Sequence, residues 1–191
     1  MIYIVNGAPG SGKTTFEDIV QTLMGPAFCT KISTIDFVKD IARQCGWDGT
    51  KDLHNRKFLS DLKQLLVEWN QVPYKKVTKA IQDFERDLYS YDINPDGTAI
   101  FVDCREPEEI AKFVADGART ILIKRDSAEQ AQTSNQSDAN VLNYIYDIII
   151  DNNSDIASLQ QKALNFIHEE KLYIINEEFQ LDIFGNIKIP L

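Results

Sequence analysis

Near the start of the chain, residues 2–5 (IYIV) run through Asn6 directly into residues 7–14 (GAPGSGKT). The apolar run predicts a buried β-strand, and the second stretch matches the phosphate-binding pattern G-x-x-x-x-G-K-[ST] at every specified position. Glycines let backbone N–H groups curl around an anion, and the helix expected near Lys13 points its positive end at the same place. A glycine-rich turn that binds nothing is the alternative, which the strand-to-helix context disfavours. The stretch therefore predicts a nucleoside triphosphate site.

The residues of this loop have distinct expected roles. Lys13 is expected to reach the β- and γ-phosphates, and the Thr14 hydroxyl to ligate Mg²⁺. ATP and Mg²⁺ are thus the expected nucleotide and cofactor. The residues expected to bind the nucleotide are Gly7, Ala8, Pro9, Gly10, Ser11, Gly12, Lys13, Thr14 and Thr15.

Length and charge restrict the class of protein and its partners. A chain of 191 residues can bury the core of one ordinary domain, with room for a lid or a tail. Its 20 Lys and Arg against 29 Asp and Glu give a net charge of −9, and no basic run could track a polyanion. Nucleic acid polymers are therefore poor candidate partners, whereas a small phosphorylated molecule needs only a local cationic pocket. No run approaches the ~18 apolar residues of a membrane span, so no membrane partner is expected. An oligomeric state is not predicted.

Cys29, Cys45 and Cys104 are odd in number and form no C-x-x-C pair. This spacing favours neither a disulfide framework nor a zinc site. We expect reduced, mostly buried thiols in a cytoplasmic protein. The N-terminus has no basic segment ahead of an apolar stretch, so we expect no processing.

Apolar periodicity predicts strands that alternate with helices. Pro73 is expected in the first turn of one helix, Pro107 at the start of another, and Ser154 as the N-cap of the last core helix. Strands separated by helices imply an α/β fold with a mostly parallel five-stranded sheet, helices on both faces and ligands at the carboxyl ends of the strands. The predicted strands cover residues 2–5, 28–32, 99–102, 120–123 and 148–150.

The order of elements predicts a single domain over residues 1–191, with three additions to the sheet. Residues 34–95 form a helical insertion that we expect to bind the acceptor. Residues 126–140 carry no apolar side chain larger than alanine and follow a strand end, which favours a lid over a disordered loop. Residues 170–191 form a C-terminal β appendage, read as an antiparallel hairpin.

Two polar residues follow the third predicted strand. Asp103 closes that strand, as expected for the carboxylate that orients the magnesium shell, although it could instead be the N-cap of the next helix. Arg105 suits bidentate phosphate recognition at the same sheet edge. A surface ion pair with Glu106, Glu108 or Glu109 is equally compatible with its position.

A second polar cluster lies on or beside the helices that follow the second strand. Asp36, Lys39 and Arg43 fall on neighbouring turns and could bind an acceptor, or form a solvated face with an ion pair. Arg56, near the start of the next helix, could reach an acceptor phosphate. Trp47 could stack on a base, but burial is favoured. His54 and His168 are expected to be surface residues.

Several of these features together resemble one known family. They are the phosphate loop, Asp103-Cys104-Arg105 with the acidic helix after it, Arg125 before the expected lid, and residues 147–152 (DIIIDN). The chain resembles the P-loop kinases of the nucleoside monophosphate kinase type, and within them the deoxynucleoside monophosphate kinases of phages and bacteria and the related phosphomevalonate kinases of animals. The resemblance spans roughly the first 168 residues in order of elements, and it is specific only at the loop.

In that family the region between strands two and three binds the acceptor, and an arginine-bearing lid closes on the phosphates. The resemblance therefore implies direct, magnesium-dependent transfer. The chain departs from the family in one respect, because no arginine follows Arg125. Either Arg125 alone serves, or turnover is weak.

We therefore expect an ATP-dependent phosphotransferase that acts on a small phosphorylated acceptor, with a nucleoside or deoxynucleoside monophosphate as first candidate. Lys13 and Arg125 are the expected catalytic cations, Asp103 acts on the metal side, and Arg105 holds the acceptor phosphate. Two alternatives stay open. One is a kinase of a non-nucleotide phosphorylated metabolite. The other is an ATP-binding switch or regulatory protein, which the absence of the guanine motif N-K-x-D does not exclude.

Overall fold

A computed structural model describes residues 1–50, 52–129 and 144–174. It contains a five-stranded parallel sheet in the order β2-β3-β1-β4-β5, so the predicted α/β fold class is confirmed. The first strand, which carries the glycine-rich loop, lies in the middle of the sheet. The strands are β1 (Ile2–Asn6), β2 (Cys29–Ser33), β3 (Ala99–Asp103), β4 (Arg119–Lys124) and β5 (Ile148–Asp151).

Helices separate the strands, largely where apolar spacing predicts them. Pro73 and Pro107 lie in the first turns of their helices, as predicted. The N-cap of the last helix is Asp155 rather than Ser154, because the Asp155 carboxylate accepts a hydrogen bond of 2.9 Å from the backbone N–H of Ser158. The helices are α1 (Lys13–Met24), α2 (Asp36–Gln44), α3 (Leu53–Asn70), α4 (Val72–Ser90), α5 (Pro107–Ala115), α6 (Asp126–Glu129) and α7 (Ile156–Glu169).

An aromatic cluster fixes α1 and α7 on one face of the sheet. Tyr3 of β1, Phe101 of β3, Phe16 of α1 and Phe166 of α7 are buried together. The ring centroids of Phe166 lie 5.1 Å from Tyr3 and 5.5 Å from Phe16, both edge to face, a geometry that adds about 1 kcal/mol per pair beyond burial. This packing positions the start of α1 at the carboxyl end of β1.

The chain divides into two compact units, of which one contains most of the sheet and the other contains α2, α3 and α4. The second unit spans Ile32–Ile93, close to the predicted insertion at 34–95. Its three helices contact one another. Helix α3 has no fully buried residue, and its apolar residues Leu65 and Trp69 are 62% and 79% exposed.

Two predicted additions lie mostly outside the described residues. Of the expected lid at 126–140, the structure describes the short helix α6 alone. Of the expected β appendage at 170–191, it describes residues 170–174, where the backbone N–H of Tyr173 donates to the carbonyl of Gly97 at 2.7 Å. Both assignments stay predictions.

None of the helices in the described ranges combines the length and apolar character needed to cross a bilayer.

The cysteines differ from the prediction in one case. Cys29 and Cys104 are buried free thiols, whereas Cys45 is exposed. The reason is local, because Cys45 is the C-cap of α2 and lies beyond the buried face formed by Val38 and Ala42.

We expect one of the three thiols to react rapidly with an aromatic disulfide reagent at about pH 8. Burial raises the pKa of Cys29 to about 12, so that thiol stays protonated below that pH and is also shielded. Cys45 is the expected reactive group, and Cys45→Ser should remove the fast phase. All three thiols should react in denaturant. Rapid reaction of all three thiols with the reagent in the native protein would contradict the buried positions of Cys29 and Cys104.

Candidate active site

The glycine-rich loop joins β1 to α1 in a conformation that its glycines make accessible. Gly10 and Gly12 have φ angles of 82° and 96°, in the left-handed region that other residues rarely adopt. Gly12 is the N-cap residue of α1, and the backbone N–H of Ser11 donates to the carbonyl of Ala8 at 3.0 Å. The loop therefore turns sharply and delivers the chain into the helix, as the sequence pattern predicts.

The loop is also fitted closely against the ends of neighbouring strands. A Cβ atom on Gly7 would lie 2.4 Å from the carbonyl oxygen of Ile123, at the end of β4. A Cβ atom on Gly12 would lie 2.3 Å from Nδ2 of Asn152, just after β5. Both separations are far below van der Waals contact, so side chains at these two positions would displace the loop.

The N-terminus of α1 has no side-chain cap, and its first turn contains no acidic residue. In contrast, α3 and α7 begin with Asp52 and Asp155, whose carboxylates accept hydrogen bonds from backbone N–H groups. An uncapped helix start leaves N–H donors and the positive end of the helix dipole for an anionic ligand. Helix α4 shares both features, so it is the position of α1 directly after the glycine-rich loop that marks its start as the candidate anion site.

Lys13 lies back against the loop. Its Nζ donates to the carbonyl of Gly7 at 2.7 Å and to that of Ala8 at 3.4 Å. The side chain is half-buried, so the ammonium group is held close to the backbone N–H groups at the start of α1. One anion could therefore contact the Lys13 ammonium and the helix start together.

Asp103 is the last residue of β3, and its backbone is in register with Val5 of β1. Its carboxylate therefore lies at the carboxyl edge of the strand next to the loop strand. The N-cap of α5 is Glu106, so the alternative role of Asp103 as that cap is wrong.

The residues at this edge fit Mg²⁺ by their chemistry, because the Thr14 hydroxyl and a carboxylate supply the hard oxygen donors that this cation prefers. Thr14 is exposed in the first turn of α1. Within residues 1–50, 52–129 and 144–174, no group of three or more His, Cys, Asp or Glu is placed to bind a metal. A cation here would therefore also need oxygens from its nucleotide.

Glu17 is a polar residue of the site that the sequence reasoning missed. It lies on α1 one turn after Lys13 and is 3% exposed. Burial, and then the nearby Asp103 carboxylate, raise the pKa of Glu17 to about 8. Its position three residues after Thr14, on the buried side of a phosphate-binding helix, was the available signal.

Asn152 is a second residue that the sequence did not single out as a site residue. It is 8% exposed and follows β5, where its backbone N–H donates to the carbonyl of Lys124 at 2.7 Å. Its side-chain Nδ2 donates to the carbonyl of Ser11 at 2.8 Å. Asn152 therefore holds the glycine-rich loop against the ends of β4 and β5.

We expect Asn152→Ala to weaken nucleotide binding roughly fivefold, because a lost buried hydrogen bond costs about 1 kcal/mol and leaves the Ser11 carbonyl without this donor. Calorimetric titration of ATP would measure it. Asn165→Ala, at an exposed position of α7, serves as the matched control and should bind as the parent does. Equal affinity for parent and Asn152→Ala would mean that the loop keeps its shape without this contact.

Two predicted arginines also belong to the unit that contains the loop. Arg125 follows Ile123, the residue against which Gly7 packs, by two positions and is exposed. Across the described ranges its guanidinium has no ion pair. Arg105 is half-buried two residues after Asp103. Of its three candidate ion-pair partners, Glu109 is buried and accepts a hydrogen bond of 3.4 Å from Sγ of Cys104.

The other four predicted acceptor residues lie in the second unit, where three of them form ion pairs on α2. Lys39 pairs with Asp36 at 3.0 Å, and Arg43 pairs with Asp40 at 2.7 Å. The two carboxylates are 60% and 62% exposed, as a solvated face requires. Arg56 is exposed near the start of α3. The ion pairs predicted as an alternative are therefore present, and an acceptor role stays a prediction.

Trp47 is buried, as the sequence favours. It is 8% exposed, and its Nε1 donates to the carbonyl of Thr50 at 2.9 Å. The guanidinium of Arg43 lies over its ring, 5.7 Å from the centroid. His54 and His168 are both exposed, which confirms the prediction for them.

Comparison with known proteins gives distant structural similarity only. No protein-family model matches the chain, and no curated protein sequence matches it. Shikimate kinase from Aquifex aeolicus vf5 is 10% identical with a TM-score of 0.46, over 90% of this chain and 98% of that chain. The protein TT1252 from Thermus thermophilus is 16% identical with a TM-score of 0.43, over 89% of this chain and 97% of that chain. These values are too low to indicate a shared activity.

Proposed function

We propose that the chain is an ATP-dependent phosphotransferase acting on a small phosphorylated acceptor, with a nucleoside or deoxynucleoside monophosphate as first candidate. The observation that carries the proposal is the loop at residues 7–14, between a central parallel strand and a helix whose N-terminus has no side-chain cap. Backbone N–H groups, the dipole of α1 and Lys13 converge there, as a polyphosphate requires.

The proposed roles follow from where each side chain lies. Lys13 binds the β- and γ-phosphates, and Arg125, directly after the strand that contacts Gly7, binds the phosphoryl group in transfer. Thr14 and Asp103 hold Mg²⁺, whose charge offsets the negative charge on the phosphoryl oxygens. No strong base is required, because the acceptor oxygen of a monophosphate is already anionic.

Arg105 and the cations of the second unit support a phosphorylated acceptor. Lys39 and Arg43 are paired with exposed aspartates, and such surface pairs are worth at most about 1 kcal/mol. A dianionic phosphate can therefore take over these cations at small cost, and the fork of Arg43, Arg56 or Arg105 suits it. We assign the acceptor phosphate to Arg105, with Asp36, Lys39, Arg43 and Arg56 as further acceptor residues.

The test is a coupled assay of ATP consumption with nucleoside monophosphates, deoxynucleoside monophosphates and phosphorylated metabolites as acceptors. Consumption should be slow with ATP alone and rise strongly with the correct monophosphate, since acceptor binding completes the site. If a non-nucleotide metabolite stimulates ATP consumption and no nucleoside monophosphate does, the protein is a metabolite kinase. Equal, slow hydrolysis with every acceptor would contradict phosphotransfer and favour an ATP-binding switch.

A further inference from the structure

Glu17 occupies an unusual place for a carboxylate. It lies on the buried side of α1, where its neighbours in sequence include the core residues Phe16 and Val20, and it is 3% exposed. Its Oε1 has no hydrogen-bond partner in the part of the chain that the structure describes. A buried carboxyl oxygen without a partner is costly, so its presence calls for a ligand or a function.

The charged groups that act on Glu17 include Asp103 and Lys13 of the candidate site, together with Lys31 and Asp18. The Asp103 carboxylate at the end of β3 acts on it most strongly among them, and it contributes with burial to the raised pKa of Glu17. Two lysines also act on Glu17 through their charges. Lys13 donates a hydrogen bond to the carbonyl of Gly7, and Lys31 forms an ion pair with Asp18. A buried carboxyl that feels the charge of a second, partly exposed carboxylate is an arrangement that a bound cation relieves.

We propose that Glu17 is a second carboxylate of the divalent-cation site at the phosphate loop, acting together with Asp103 and Thr14. The proposal rests on the proposed function only in needing Mg²⁺ and a nucleotide at this loop. It assigns Glu17 to cation binding rather than to the packing of α1.

The chemistry predicts how this role should appear in binding measurements. Mg²⁺ takes oxygen ligands and keeps several waters, which carboxylates commonly hold, and it usually depends on substrate phosphates as well. Two carboxyls and one hydroxyl are too few to bind it tightly alone. Glu17 should therefore affect the coupling between Mg²⁺ and nucleotide, not the affinity of the loop for phosphate.

The experiment titrates the full chain with adenylyl imidodiphosphate, a poorly hydrolysed ATP analogue, once with a chelator and once with Mg²⁺. In Glu17→Gln, affinity in chelator should equal that of the parent, because the amide keeps the size of the side chain and no cation is present for it to bind. The increase in affinity on adding Mg²⁺ should be roughly tenfold smaller than in the parent. Asp103→Asn should behave in the same way, whereas Asp61→Asn, whose side chain is 60% exposed on α3, should match the parent.

The other outcomes separate this proposal from its rivals. An unchanged magnesium effect in Glu17→Gln overturns it, and so does an equal loss of affinity with and without Mg²⁺, since that pattern indicates a structural role. Magnesium coupling that depends on Glu17 without transfer to any acceptor would support the cation site and contradict the proposed function. Phosphate transfer combined with an unchanged magnesium effect in Glu17→Gln would support the proposed function and contradict the cation site. Failure of the parent to bind the analogue in either buffer would contradict both.

Discussion

Lys13→Ala is expected to lower phosphoryl transfer by at least about 10²–10³-fold, the effect typical of removing one preorganised group that stabilises transition-state charge. Lys13 is the cation held at the loop by the carbonyls of Gly7 and Ala8, directly at the start of α1. Its ammonium group faces the loop rather than the apolar core. Binding of ATP should weaken as well, because the β- and γ-phosphates lose their cation.

The measurement is steady-state transfer with the best acceptor, together with circular dichroism and thermal unfolding. Lys79→Ala is the matched control, because the side chain of Lys79 is 61% exposed on α4 and pairs with Asp83. That variant should retain parent turnover. We expect Lys13→Ala to unfold near the parent temperature, since it leaves no buried cavity. Parent-like turnover in Lys13→Ala would remove the phosphate-loop mechanism.

Much of the fold follows from local sequence signals. The spacing of apolar residues predicts the five strands within one residue at each end, and the three central strands β3, β1 and β4, which are buried on both faces, read as apolar runs. Pro107 marks the start of α5 because its ring fixes φ, and Gly117 lies just beyond the end of that helix because it tolerates a φ of 94°. The glycine-rich loop is equally local, since its shape depends on the φ angles of its own glycines.

The residues that the sequence did not single out depend on contacts between distant segments. Asn152 reaches the carbonyl of Ser11 across 141 positions in sequence, and the Asp103 carboxylate acts on the pKa of Glu17 only because β3 lies beside β1. Local pattern cannot supply these contacts, because they depend on strand order. The N-cap of α7 was missed for another reason, since Ser154 and Asp155 are both good capping residues and their geometry decides between them.

Arg125→Ala is expected to reduce the rate of transfer by on the order of 10³-fold while leaving nucleotide affinity nearly unchanged. No arginine follows Arg125 in the chain, so the clamp on the transferred phosphoryl group has one candidate in this region. Arg125 stands just beyond the residue that contacts Gly7, and across the described ranges its guanidinium is not engaged in an ion pair. Its side chain is exposed and can reorient toward bound phosphates.

Single-turnover transfer and calorimetric titration of ATP would separate chemistry from binding in this variant. Arg86→Ala is a suitable control, because Arg86 is a 66% exposed arginine paired with Asp83 on α4, and its loss should leave both quantities unchanged. Arg125→Lys should recover part of the rate, since it restores the charge but not the bidentate fork. If Arg125→Ala transfers phosphate at the parent rate, the clamp lies elsewhere, and Arg43, Arg56 and Arg105 become the arginines to replace, because each is already a candidate for phosphate recognition.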